Sequence, residues 1–366
     1  MMEPEPIVIE TLTPMWTGGV NGSSDTVRET GIIGSMRWWY EAIIRGIGGY
    51  ACDPLSDGKC MLDGKEKADE RNKKLCPACY LFGCGGWKRR FRLEIVNSGV
   101  KEPFHLVTLD RENVGNNWWL ATIFEKNRNN NLSFGTFTFK IYPLSRSDKT
   151  EIIIQIKALL SIMSHVGAIG AKNQYGFGQF KMENRMDFKR ALNEINDFCN
   201  KDEFKKEANK PDFYSLSNFW CYEFKIPARN QLVKNFLKSN IIGNKSSSTS
   251  YLPVSFDIRY KLPNRNKGSG LRQAYYSHCN GDKNQVCQIF GTLPKSGKKD
   301  DGIGSRIFVS HLFREMPNND YFLRVWGFTE NDVGNVVSME INKMFSLVEV
   351  PRMKYEEEIN NFTEGA

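Results

Sequence analysis

The chain has 366 residues, 40% of them hydrophobic and 25% charged, which is the balance of a soluble globular protein. At about 150 residues per domain, that length accommodates two to three domains. Fifty basic against forty-two acidic residues leave a formal charge of +8, which suits a polyanionic partner without requiring one. The most apolar long stretch, residues 152–170, is interrupted by Gln155, Lys157 and His165, so it reads as a buried helix and not as a membrane span. The acidic start, MMEPEPIVIE, lacks the layout of a secretory signal, so a cytoplasmic, soluble protein is expected.

Residues 6–16 form a β-rich run that ends at Pro14 and the Gly18-Gly19 turn. A helical pattern follows over 32–47, with Thr30 placed to cap it and Gly48-Gly49 to stop it. A cysteine-rich, charged insertion occupies 52–84. Alternating strands are expected at 91–96 and 132–142, a helix at 148–165, and a short strand at 176–182. The order strand, helix, strand, strand, helix, strand is that of a split βαβ, ferredoxin-like unit, bounded here as residues 1–184. Residues 185–211 read as an exposed, charged helical connection. A second unit, 212–351, restarts with a strand at 220–227, a helix at 230–237, strands at 254–262, 305–312 and 321–328, and a helix at 331–345. Segments 243–250, 263–270 and 295–304 look like mobile loops of small and basic residues, and 352–366 like a solvated tail. The fold class expected is α+β, two ferredoxin-like βαββαβ units in tandem. An internal echo supports a duplication: Cys79-Tyr-Leu-Phe-Gly83 recurs as Cys287-Gln-Ile-Phe-Gly291, each followed by a basic, glycine-containing stretch and a β run.

Five of the nine cysteines fall between Cys52 and Cys84. Cys76-Pro-Ala-Cys79 is a CxxC knuckle, whose tight turn aims two thiolates at one tetrahedral ion. Without a secretory signal, such a cluster reads as metal ligands in preference to disulfides. The expected ligands are Cys52, Cys60, Cys76 and Cys79 around a structural zinc, with Cys84 an alternative to either upstream cysteine. Four thiolates leave no open coordination position, so the ion would be structural. In the second half His278, Cys279 and Cys287 lack a counterpart of Cys76, where Asn284 stands, and ordinary packing is the better reading.

Two further features suit nucleic acid. The glycine-rich loop Gly167-Ala-Ile-Gly170-Ala-Lys-Asn-Gln-Tyr-Gly176-Phe-Gly178 leaves a helix and enters a strand, which is the wrong order for a dinucleotide fingerprint. Its small residues allow close backbone approach, and Lys172, Asn173, Gln174 and Tyr175, with Gly176 and Gly178, suit a phosphate backbone and a stacked base. The alternative is a tight connection whose glycines serve turn geometry alone. Between residues 65 and 92, nine Lys/Arg against three Asp/Glu concentrate a charge of +6, with Lys88, Arg89, Arg90 and Arg92 beside Trp87 and Phe91. Arg37 and Arg45, about two turns apart on the first helix, would extend that surface; Trp38, Trp39 and Tyr40 suit a core or an interface. None of His105, His165, His278 and His311 stands in a recognisable catalytic spacing.

Together, Thr13-Pro-Met-Trp-Thr-Gly-Gly19, Gly31-Ile-Ile-Gly-Ser-Met-Arg-Trp-Trp39, Cys76-Pro-Ala-Cys-Tyr-Leu-Phe-Gly-Cys84 and the loop at 170–180 resemble the RAMP superfamily of CRISPR proteins, nearest to the subunit-one branch of the type III-B (Cmr) effector. The resemblance covers residues 6–182 and the second half only loosely. It implies tandem ferredoxin-like domains and membership of a ribonucleoprotein beside other RAMP subunits of the Cmr effector. It further implies binding of single-stranded RNA near the 3′ end of the guide or its paired target, with target cleavage left to other subunits. The zinc knuckle and glycine loop carry over by position onto Cys76, Cys79 and residues 167–178. The alternatives are a metal-independent endoribonuclease, for which His165 is the only candidate base, and a scaffold subunit without RNA affinity.

Overall fold

The computed structural model describes residues 3–19, 24, 26–67, 70–97, 105–108, 131–209, 214–238, 250–260, 270–292, 302–315, 319–349 and 351–363. The first half runs β1 (Glu5–Thr11), α1 (Glu29–Gly46), α2 (Pro77–Phe82), β2 (Phe91–Asn97), β3 (His105–Thr108), β4 (Asn131–Phe134), β5 (Thr136–Pro143), α3 (Lys149–Val166), β6 (Phe180–Met182) and α4 (Phe188–Cys199). The second runs β7 (Phe219–Ile226), α5 (Gln231–Lys238), β8 (Tyr251–Leu252), α6 (Ser255–Tyr260), α7 (Leu271–His278), α8 (Lys283–Phe290), β9 (Ile307–Val309), β10 (Leu312–Phe313), β11 (Tyr321–Phe328), α9 (Asn331–Phe345) and α10 (Glu356–Thr363). The expected loops at 243–249, 263–269 and 295–301 lie outside the described residues.

The chain is a mixed α/β protein built on antiparallel sheets. In the first, the order is β2-β5-β1-β6. Period-two alternation sends Ile7, Ile9, Phe137, Phe139, Ile141, Phe91 and Leu93 to one face, where α1 and α3 bury them. The two helices are tied by Tyr40, whose hydroxyl donates to Gln155 Oε1 at 2.7 Å. In the second sheet the order is β7-β11-β10-β8, with β9 also pairing β11. The halves share apolar surface: Trp38 packs on Tyr214, Phe308 and Phe328, and Trp39 on Phe219 and Phe328. Trp39 is core, and half-buried Trp38 packs against it.

Several expectations are corrected. Helix α1 starts at Glu29, and Thr30 does not cap it; the Arg28 amide donates instead to Thr17 Oγ1. Only Phe180–Met182 of the strand expected at 176–182 forms, because Gly176 and Gly178 take positive φ. Residues 254–260 are not extended. Val254 and Ile258 fit both alternation and a helical turn, and the Ile258 amide closes a turn on the Val254 carbonyl. The strand expected at 305–312 breaks at Ser310, whose hydroxyl accepts the Arg324 amide. The connection at 185–211 is not an exposed linker: α4 buries Phe188, Ala191, Leu192, Ile195 and Phe198, and Gln155 Nε2 donates to its Glu194 carbonyl. Nor is 352–363 a solvated tail. Met353 bridges Tyr222, Tyr355 stacks on Phe188 at 4.2 Å, and Ile359 is buried.

The halves are stapled by Arg324. From β11 its guanidinium donates to Glu223 Oε2 at 2.8 and 3.0 Å, to the Ser164 carbonyl at 3.2 Å and to Gln179 Oε1 at 3.2 Å. Lys354 donates to the other Glu223 oxygen. Burial alone would raise the Glu223 carboxyl, but the charges of Arg324 and Lys354 outweigh it and hold it at about 2. An unfolded glutamate titrates near about 4.3, so the unfolded chain takes the proton first as pH falls. The stabilisation is therefore complete above about pH 5 and is lost as pH drops from about 4 toward about 2. Glu223→Gln should cost on the order of 3 kcal/mol at neutral pH. In urea unfolding compared at about pH 6 and about pH 3, the gap between wild type and variant should shrink at the lower value. A gap independent of pH would contradict the assignment.

Candidate metal centre and nucleic-acid interface

Helix α2 begins at Cys76, whose sulfur accepts the Cys79 amide at 3.4 Å, with Pro77 at the first helical position. That turn brings Cys76 and Cys79 together. The preceding insertion folds back so that the Cys76 amide meets Cys60 Sγ at 3.3 Å and Cys52 Sγ lies 3.4 Å from Cys79 Sγ. All four sulfurs lie within 4.8 Å of one another, and all four residues are buried. Sulfurs about 2.3 Å from one tetrahedral ion lie about 3.8 Å apart, so the set fits such an ion. Hydrogen bonds among the four hold Cys52 well below the ordinary thiol range and push Cys60, Cys76 and Cys79 above it. Cys84 stands outside the set, half-exposed, with its sulfur toward the Gly85 carbonyl. It replaces neither upstream cysteine.

Arg37 and Arg45 do not extend a cationic surface. Arg37 donates to the Gly83 carbonyl at 2.7 Å and to Cys79 Sγ at 3.3 Å. Arg45 donates to the carbonyls of Ala51, Cys52 and Tyr214. Buried Glu41 lies between them, 2.8 Å from Arg37 and 3.6 Å from Arg45. Burial raises the Glu41 carboxyl against the pull of both arginines. The shared helix face is real, but it grips the cysteine loop. A sulfur-rich, polar insertion needs that grip, and spacing alone cannot distinguish a gripping arginine from an exposed one.

The glycine loop is a junction. Thr13 Oγ1 donates to the Gly176 carbonyl and accepts the Gln179 amide, the Gly178 amide donates to Pro14, and the Ala171 amide to Trp16. Gly176 sits at φ 95°, and a Cβ there would lie 2.6 Å from His311 Nδ1 and from Ser255 Cβ, so any side chain would wedge the halves apart. Gly178 likewise has φ 84°. Asn173 is spent internally, its amide donating to Ile169 and Phe177 carbonyls. Lys172 Nζ lies 4.6 Å from the Trp16 ring centroid, and with half-buried Gln174 and Tyr175 it forms a partly open cation–aromatic tip.

The basic segment divides. Lys88 and Arg92 are exposed. Arg89 donates to the Phe91 carbonyl at 2.7 Å. Arg90 lies 5.2 Å from both the Tyr80 and Trp87 rings and donates twice to Asp148, so it is a structural clamp. Arg92 pairs with Tyr142 near one end of β5, whereas Trp16 and Lys172 lie beyond its other end at Thr136. Six residues of strand separate those ends by about 20 Å. Lys172 and the pair Lys88 and Arg92 therefore stand at two separate places on the surface.

The echo is structural. Arg272 of α7 donates to the Gly291 carbonyl at 2.8 Å and to Cys287 Sγ at 3.5 Å, which repeats what Arg37 does to Gly83 and Cys79. Sequence reasoning missed this frame in the second half, although the five-residue repeat pointed to it. His165 is locked: Nε2 meets the Met186 carbonyl at 3.0 Å, so it carries the proton, and Nδ1 then accepts from Tyr355 OH at 2.6 Å. Burial lowers this imidazole to about 4.

Residues 8–181 match the family model of the RAMP superfamily. Among solved structures, the apo form of Cmr1 from Pyrococcus furiosus is 14% identical, with a TM-score of 0.43 over 100% of this chain and 97% of that one. A chain of the type III-B Cmr-beta structure bound to cognate target RNA and AMPPnP, in the presence of ssDNA, is 13% identical, with a TM-score of 0.44 over 92% of this chain and 98% of that one. No curated protein matches the sequence. No helix among the described residues is long and apolar enough to cross a membrane.

Cobalt titration of the metal-free chain should saturate at about one ion and give the charge-transfer band of a tetrathiolate site. Cys52→Ser should lower the affinity at least tenfold, and Cys84→Ser should leave it unchanged. Equal loss from both would contradict the ligand set.

Proposed function

From the match of residues 8–181 to the RAMP superfamily model, we propose that this chain is a non-catalytic, single-stranded RNA-binding subunit of a type III-B CRISPR (Cmr) effector ribonucleoprotein. Its RNA is the 3′ region of the guide or the paired target, and its neighbours are other RAMP subunits. The observation that carries the reading is the tip of the glycine loop. There Lys172 lies over Trp16, at the junction of two of the family-like motifs, with Gln174 and Tyr175 beside it. A cation held over an indole beside a phenol can meet a phosphate and a base together. Lys88 and Arg92 supply a second, separate cationic contact.

The ion in the four-cysteine site is zinc in this reading, closing the insertion between α1 and β2 with no chemistry of its own. The order β2-β5-β1-β6 supports a ferredoxin-like first unit, and the Tyr222–Met353 bridge beside β7 stands where the last strand of a second such unit would lie. Against the endoribonuclease reading stands the engagement of both His165 nitrogens, with the Met186 carbonyl and the Tyr355 hydroxyl.

The test is a gel-shift salt series with a single-stranded RNA of roughly 30 nucleotides, each reaction also run under denaturing conditions. Lys172→Asn suits the positive φ at that position. Combined with Lys88→Ala and Arg92→Ala, it should weaken binding and flatten the salt slope by about one unit per lost phosphate contact, with the RNA intact. Unchanged affinity would defeat the interface. Discrete cleavage abolished by His165→Asn would establish the nuclease instead.

A further inference from the structure

In the first half, the arginine–glycine–cysteine frame backs onto three further cysteines. In the second half it backs onto open space: a cleft of about 460 Å³ whose walls include Arg272 and Cys287 themselves. The position equivalent to Cys76 is Asn284, exposed, and among the described residues no second cysteine cluster stands there. The cleft has a definite chemistry. Tyr260 and Tyr276 present rings, buried Val286 contributes an apolar wall, and the Gln273 side chain adds an amide. Among the described residues, the charged ones lining it are Arg272 and Lys283, with no carboxylate. Lys283 opens α8, whose terminal amides at Asn284 and Gln285 are already taken by Asp282, so an anion there would rely on side chains.

Rings, an amide and two cations in a space of this size match one nucleotide, whose base stacks on a phenol and whose phosphate meets the ammonium and guanidinium. We propose that this cleft between α7 and α8 is a nucleotide-binding subsite. It takes one unit of a single-stranded RNA, with the base against Tyr260 and Tyr276 and the phosphate on Lys283 and Arg272. The proposal rests on the RNA-binding reading above and deepens it: the second repeat offers a ligand pocket where the first carries its cysteine cluster.

Cys287 reports on the cleft from its wall. The full chain would be treated with iodoacetamide, and alkylation at Cys287 quantified by peptide mass spectrometry. Three conditions would be compared: no addition, uridine or adenosine 5′-monophosphate, and a single-stranded RNA decamer. Cys279, also half-exposed but outside the cleft, is the internal reference. RNA should slow Cys287 alkylation at least fivefold relative to Cys279. Lys283→Glu and Tyr276→Leu should each abolish that protection, while gel-shift affinity for long RNA falls only a few-fold. Protection by mononucleotide as well would place the recognition in the nucleotide unit, and protection by RNA alone would place it in the strand; both support the subsite. If RNA shifts in the gel yet neither ligand protects Cys287, the subsite is wrong and the RNA-binding reading stands. If RNA does not shift at all, that reading fails, and mononucleotide protection then decides the cleft: its presence keeps the subsite and its absence overturns it.

Discussion

The two halves meet around one buried guanidinium. Arg324 is 2% exposed and leaves the second sheet to reach the end of α3 and Gln179 beside the glycine loop, with Glu223 neutralising its charge. A charge buried this far persists only when it is paired and its donors are met. The geometry around it is thereby constrained: α3 must end near Ser164, the loop must return past Gln179, and Lys354 must bring the C-terminal segment to the remaining Glu223 oxygen. His165 and Tyr355 secure the same segment from the other side. The loop tip with Lys172 and Trp16 is therefore presented from a junction between halves and not from a free hairpin.

A second constraint is used twice. Gly83 and Gly291 end short helices at φ 88° and 78°, and a Cβ at either would lie 2.9 Å from a backbone nitrogen, that of Arg89 or Ser305. Each helix then hands over to a strand through the same bond, Arg90 to the Leu81 carbonyl and Arg306 to the Ile289 carbonyl. Each glycine carbonyl and preceding cysteine is held by an arginine from an earlier helix. Shared backbone geometry with different occupants is what a duplicated unit leaves after its functions diverge. In the first copy the frame supports four clustered thiols; in the second it walls a cleft with two cations and two phenols.

Long, strongly periodic elements were legible in the residues: 321–328 and 331–345 coincide with β11 and α9, and the grouping of Cys52, Cys60, Cys76 and Cys79 follows from their clustering and the CxxC turn. What escaped the sequence was decided by tertiary contact. Residues 254–260 carry a spacing compatible with both periods, and the turn to Val254 settled them as helix. The segments at 188–199 and 353–363 looked solvated because only one face of each is apolar, and that face is covered by α3 and β7. Arg37, Arg45 and Arg90 illustrate the limit for sites. Composition counts them as surface charge, yet each is consumed by a carbonyl, a sulfur or a carboxylate nearby. Lys88 and Arg92 stay exposed and Lys172 is half-exposed over Trp16, with about 20 Å of sheet between the two places.

The central claim is that single-stranded RNA lies on the loop tip and on the separate cationic strand edge. It is tested most directly by photocrosslinking the intact chain to 4-thiouridine-substituted single-stranded RNA and mapping the modified peptides. The account predicts crosslinks at Trp16 and residues 172–175, and at residues 88–92, with none at His165 itself. Crosslinks confined to other surfaces, or none at RNA concentrations that saturate a gel shift, would contradict it.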